Sequence, residues 1–210
     1  MNTYESEREQ LEALQKWWKE NGRAIISGIL LGTIAISSWS SWQVYTTQQA
    51  EKASLHYEQL SASVKSNLHE EAIKQGNALV EEFPNSGYAP LASLVVAKVA
   101  FQQNEMEKVK AFLQLAIDQE KSEAVQQIAR LRLARLLRDE GKWKEAMVFL
   151  DGNVGEFSSL YEEARGDILL AQGNPVEARL AYEQTSAGNN RSEGQSRVRV
   201  QTKLGSLGKK

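Results

Sequence analysis

The chain has no cysteine, three prolines and two histidines among its 210 residues. Without cysteine there is no disulfide, no thiol nucleophile and no soft metal ligand. That composition suits an oxidising compartment entered without the need for bridges. His56 and His69 stand 13 residues apart with no paired-ligand spacing, so they read as surface or half-buried histidines rather than a metal site. A phosphate loop, a dinucleotide fingerprint and a serine elbow are all missing. The adjacent carboxylates Glu81–Glu82 and Glu162–Glu163 point different ways on a helix and make poor acid–base partners. The chain also lacks a strong basic excess, with 25 basic against 27 acidic residues, which argues against a nucleic-acid binder. These absences lead to the expectation of a protein that is not an enzyme, with no cofactor and no small-molecule substrate. Scarce proline beside abundant Ala, Glu, Gln, Leu and Lys points to an all-α fold.

What the chain does have is a long uncharged run. No charged residue occurs between Arg23 and Glu51, and Ala24 to Tyr45 is a dense apolar stretch ending in Trp39, Trp42 and Tyr45. About 22 residues of helix rise about 33 Å, enough to cross a bilayer core of about 30 Å. The expected organisation is an arm over 1–23, a membrane helix over 24–45 and a soluble domain over 46–210. Lys16, Lys19 and Arg23 precede the run, and the first basic residue beyond it is Lys52. Positive charge stays on the cytoplasmic side, so the N-terminus is expected inside and the large C-terminal part outside. A cleaved signal peptide is the rival reading; the long acidic arm and the tryptophans near any cleavage site favour an uncleaved anchor. Leu11, Leu14 and Trp18 make an apolar stripe on the arm. It reads either as an interfacial segment or as an extension of the membrane helix. Gly28 and Gly32 form a Gly-x-x-x-Gly pair, a candidate contact for another membrane helix that chance also produces.

Beyond the run, Ala53, Tyr57, Leu60 and Val64 repeat at helical spacing with no glycine or proline before Gly76, so the membrane helix is expected to continue into a soluble helix near 49–65. On that basis the span also positions the domain above the membrane. Further helices are expected over about 69–82, 88–103, 104 onward, 122–139, 142–150, 157–172 and 175–185. Pro84 stops the second. Asn104 with Glu107, and Asn174 with Pro175 and Glu177, read as helix starts. A last helix can begin at Ser192 with Gln195 as its capping partner. The tail from Ser186 holds six basic residues against one acidic. It reads as a solvated end, or as a surface for lipid or an acidic partner.

These helices repeat. Ala134, Leu137, Gly141, Trp143, Ala146 and Leu150 align with Gly166, Leu169, Gly173, Pro175, Ala178 and Tyr182 at an offset of 32 residues. Ala97, Ala100, Asn104, Met106, Val109 and Leu113 align with the first set at an offset of 37. The pair before them is degenerate, keeping Ala72 and Pro84. The pattern resembles the tetratricopeptide repeat, and implies a single N-terminal membrane helix followed by a tetratricopeptide-repeat-like α-solenoid. Such an array offers a groove lined by the first helix of each pair. The candidate lining is Leu94, Lys98 and Phe101, then Leu131, Arg135 and Arg138 with Arg132 nearby, then Glu163, Asp167 and Leu170. The arginines can take acidic groups of a ligand, or form a solvated face paired with Glu140 or Glu145.

Nearly the whole chain also resembles the bacterial YfgM family of ancillary SecYEG translocon subunits. The likeness rests on Tyr4-Glu5-Ser6-Glu7, Glu20-Asn21-Gly22-Arg23, the span, Ala92-Ser93-Leu94, Leu131-Arg132-Leu133-Ala134-Arg135 and Arg165-Gly166-Asp167. It implies a single-pass protein of the bacterial inner membrane with a periplasmic repeat domain. It also implies association with SecYEG and the periplasmic chaperone PpiD, exported proteins as clients, and a role in passing them toward periplasmic folding factors. A scaffold of another envelope-assembly or secretion complex is the alternative, and a lipid-proximal enzyme is a third.

Overall fold

The computed structural model describes residues 3–119, 122–152, 155–187 and 194–207. Among the described residues all regular structure is helical. The chain divides into two units, Met1–Glu51 and Lys52–Lys210.

The first unit is helix throughout its described length, part of α1 (Thr3–Lys65). This helix is long and apolar enough to cross a membrane by length and composition, and its most apolar window is 0% buried. A core helix of a soluble protein would bury such a face. Here Ile29, Leu31, Ile34, Ile36, Trp39 and Trp42 all stand exposed. The Ser27 and Thr33 hydroxyls donate to the carbonyls of Ala24 and Ile29 (2.9 and 2.5 Å), so they are satisfied inside their own helix. The arm is helical in continuity with the apolar run, with Leu11, Leu14, Trp17 and Trp18 exposed.

The second unit is a succession of antiparallel helix pairs. The end of α1 pairs with α2 (His69–Glu82), α3 (Tyr88–Gln102) with α4 (Met106–Asp118), α5 (Glu123–Asp139) with α6 (Trp143–Val148), and α7 (Ser158–Ala171) with α8 (Pro175–Ala187). A short 3-10 turn, Gly155–Phe157, precedes α7, and α9 (Gly194–Leu207) follows α8. One core cluster runs from Leu60 to Ile168 through Leu79, Val96, Leu113 and Leu150. The aligned positions fall where the repeat requires them. Ala97, Ala134 and Gly166 are buried, as are Val109, Ala146 and Ala178, and Leu113, Leu150 and Tyr182.

The turns repeat too. Asn104, Gly141 and Gly173 have φ of 60°, 75° and 84°. In each turn the next residue's N–H reaches back five positions: Glu105 to Ala100 (2.9 Å), Lys142 to Leu137 (2.9 Å), Asn174 to Leu169 (2.9 Å). This left-handed closure satisfies the last carbonyls of a helix. Asn67, with φ of 56°, closes α1 in the same way, Leu68 N–H reaching Ser63 O at 2.9 Å. Asn67 precedes Asn104 by the same 37 residues that separate Asn104 from Gly141. The degenerate first pair therefore keeps the turn of the others.

One expected cap is corrected by this geometry. Asn104 does not start α4 in a capping box; it ends α3, and Glu105 stands at the N-cap with no side-chain cap bond. An asparagine serves either role, and the left-handed one wins because the turn is too tight to spare it. Ser122 does cap α5, its Oγ accepting from Val125 N–H at 3.4 Å. The expected helix start at Ser192 lies outside the described residues.

Candidate functional site

Of the residues expected to line a groove, the structure gathers the central ones around a cleft. Ala97, Lys98 and Phe101 of α3, Val109 and Leu113 of α4, and Arg132, Arg135, Leu136 and Asp139 of α5 enclose about 270 Å³. Because α3 and α5 are first helices of successive pairs, residues four or seven apart on them line one side of the cleft. Val109 and Leu113 floor it from the second helix of the α3 pair. Phe101, 56% exposed, stands at its rim. Leu94 and Leu131 lie beneath the surface, 8% and 5% exposed, as members of the core cluster. They shape the wall from behind and are not presented to a ligand.

The rim is cationic. Burial, and then the repulsion of Arg135, lower the affinity of the Arg132 guanidinium for its proton. Arg132 reaches the Leu94 carbonyl at 3.4 Å. Among the described residues no carboxylate pairs with Lys98 or Arg135. Glu140, one carboxylate that can neutralise α5, is taken by Lys110 (2.7 Å) and Lys142 (2.9 Å). These hydrogen bonds hold the Glu140 carboxyl below, and the Lys110 ammonium above, their ordinary ranges. Asp139, the one carboxylate lining the cleft, sits 2.7 Å from Arg138.

Toward α7 the same face is occupied. Arg138 reaches from α5 to Asp167 at 3.2 Å. Asp167 also accepts from the Tyr182 hydroxyl (2.7 Å) and from Lys203 of α9 (2.6 Å). Glu163, one turn earlier and only 3% exposed, accepts from Arg199 Nε and a terminal guanidinium nitrogen (3.2 and 3.0 Å) and from Lys203 (3.0 Å). Burial pulls the Glu163 carboxyl upward, but those hydrogen bonds together outweigh it and hold it below the carboxylate range. Burial, then the bond to Asp167, push the Tyr182 phenol well above its usual range. Leu170 at the end of α7 stays half-exposed.

The basic tail thus has an acidic partner inside its own chain. The sequence carried a signal for it: Glu163 and Asp167 are four apart on one helix, and Arg199 and Lys203 are four apart on the other. Two such ladders match when the helices lie side by side. A second link between pairs is Tyr161, fully buried, whose hydroxyl lies 2.9 Å from the Gln127 carbonyl and 2.6 Å from its Oε1. Burial pushes that phenol up to about 12.

Gly28 and Gly32 lie four apart on α1 with open space where a Cβ would be. His56 lies against Phe83 inside the first pair, ring centres 5.3 Å apart and tilted by 42°.

Comparison with known proteins agrees with this architecture. Residues 15–209 match the family described as a tetratricopeptide repeat-like domain. A protein of Escherichia coli (strain K12) is 33% identical over 184 residues, covering 87% of this chain and 88% of that one. A Haemophilus influenzae protein is 31% identical over 90% of this chain and 93% of its own length. One from Neisseria gonorrhoeae is 24% identical over 88% and 89%. Each of these relatives is named an ancillary SecYEG translocon subunit. With the repeats, the apolar helix and this coverage in agreement, the chain belongs to the YfgM family of tetratricopeptide repeat-like proteins.

Proposed function

We propose that this protein is a membrane-anchored interaction subunit of the protein-export machinery. In this reading it associates with the SecYEG translocon in the bacterial inner membrane. Its helix pairs bind the chaperone PpiD or exported clients and help pass those clients to periplasmic chaperones. The observation that carries the reading is the extent of the kinship: the E. coli and H. influenzae relatives align over nearly nine tenths or more of both chains, and both are named translocon subunits. A repeat array supplies surface for partners, so binding rather than catalysis is its contribution. Residues 1–23 form the cytoplasmic arm, 24–45 the uncleaved span and 46–210 the periplasmic domain, oriented by Lys16, Lys19 and Arg23.

Affinity capture of the full chain in mild detergent, read by mass spectrometry, tests this. Recovery of translocon subunits is expected. Their absence alongside enrichment of another envelope complex would replace the reading with that of a scaffold. Because the chain has no cysteine, topology is read cleanly from Lys74→Cys, an exposed site on α2. A membrane-impermeant maleimide is expected to label it in cells with a permeabilised outer membrane.

A further inference from the structure

The cleft between α3, α4 and α5 has a chemistry more specific than a generic groove. Its volume of about 270 Å³ falls just below the ~300–1,000 Å³ typical of small-molecule sites. It therefore suits one or two side chains of a longer chain rather than a cofactor. Its floor is apolar, from Ala97, Val109, Leu113 and Leu136, with Phe101 at the edge. Three cations rim it, Lys98, Arg132 and Arg135, against a single carboxylate, Asp139, which Arg138 already holds. Arg132 and Arg135 are like charges three residues apart on α5, so they share one face of it.

A cluster of like charges beside an apolar hollow is relieved by a ligand that brings negative charge and fills the hollow at once. Neighbouring carboxylates do not supply that charge. Glu140 is committed to Lys110 and Lys142, and Asp167 to Arg138, Tyr182 and Lys203.

We propose that this cleft docks an acidic, apolar-anchored peptide segment of a partner protein: a large apolar side chain enters over Val109 and Leu113, and a carboxylate within two residues of it meets Arg135 and Lys98. The inference rests on the interaction-subunit reading above and deepens it by naming the chemistry of the bound segment. An aromatic or aliphatic anchor supplies burial, and the guanidinium–carboxylate contact supplies selection among anchors. Such a pairing weakens as salt rises, because the rim is exposed to solvent.

The test uses the full chain in zwitterionic-lipid nanodiscs, panned against a displayed library of random seven-residue peptides. The expected enrichment is Asp or Glu within two residues of Phe, Leu, Ile, Met or Trp. A synthetic peptide of the enriched sequence is then compared with its Asn/Gln twin and with a twin whose anchor is Ala. Each twin is expected to bind roughly tenfold more weakly or worse. Arg135→Gln and Phe101→Ser, both at solvent-reached positions, are expected to weaken the parent peptide similarly, and Lys74→Gln on α2 to leave it unchanged. Enrichment of peptides without acid, equal binding of the twins, or no enrichment above the Arg135→Gln protein each overturns the proposal. Capture of translocon subunits is measured in parallel. Loss of peptide selection with capture intact removes this inference alone, while loss of capture with selection intact removes the export reading and leaves the cleft.

Discussion

Replacing Gly166 by alanine probes a close helix approach within the α7–α8 pair. A Cβ built there would stand 2.5, 2.7 and 3.0 Å from Cε1, Cδ1 and Cζ of Tyr182. Distances this short force a shift, and the ring has little freedom to give. It is fully buried, and its hydroxyl is tied to Asp167 at 2.7 Å. Alanine gains about 1 kcal/mol over glycine in a helix interior, whereas overpacking a core costs about 1–3 kcal/mol. With the ring held at both ends the upper part of that range applies, leaving a net loss of about 1–2 kcal/mol. Amide hydrogen exchange in α7 and α8 should then accelerate roughly five- to thirty-fold in the full-length protein. Gly205→Ala in α9 is the control, since nothing lies within 4 Å of its Cβ position; there exchange should slow or stay the same. Adding Tyr182→Leu to Gly166→Ala should recover part of the loss relative to Tyr182→Leu alone. Exchange in the Gly166→Ala protein as slow as in the parent would refute the reasoning that this contact sets the helix spacing.

Other elements invite parallel tests. Ser122→Ala removes the α5 cap and should cost about 0.5–1 kcal/mol, the low end for a cap because the bond is 3.4 Å long; faster exchange confined to the first turn of α5 is the readout. Tyr161→Phe should cost about 1–2 kcal/mol by stripping the buried Gln127 of a hydroxyl donor, and the loss should register in chemical unfolding midpoints. Glu163 has a folded-state pKa below its unfolded value, so the stabilisation it gives the α7–α9 contact is fully present above about pH 4.3 and is lost as pH falls through the lowered value. A nitroxide on Val198→Cys should stay immobile from pH 7 to 5 and loosen only on further acidification. Loosening already between pH 7 and 5 would contradict the assignment of Glu163 as its anchor.

Much of this fold was legible because it is written in local signals. Helix α2 runs over His69–Glu82 as the spacing and Pro84 require. The 32- and 37-residue offsets placed small residues and turns at matching points. What stayed hidden has physical reasons. Asn104 reads as a helix start from sequence because asparagine favours both an N-cap and a left-handed turn, and only φ distinguishes them. Asn67 gives no repeat signal in the sequence because the first pair shares so little else with the later ones. Helix α3 is apolar nearly all round, so periodicity could not separate Leu94, buried in the core, from Phe101, exposed at the cleft. The pairing of Glu163 and Asp167 with Arg199 and Lys203 spans 36 residues or more. Each segment carries its own four-residue spacing, but nothing in either one says that the other is its partner.

Helix α9 has a consequence for how this molecule meets others. A stack of helix pairs has no inherent length, because each pair ends in a face shaped for the next. Against α8, Val200 packs on Ala178 and Tyr182, with Leu204 and Leu207 beside it. The two cations on its neighbouring flank fasten it to α7. Among the described residues, α9 thereby covers part of the face that a further pair would use. The cationic cleft lies elsewhere, between α3, α4 and α5, and no residue of α9 contributes to its lining.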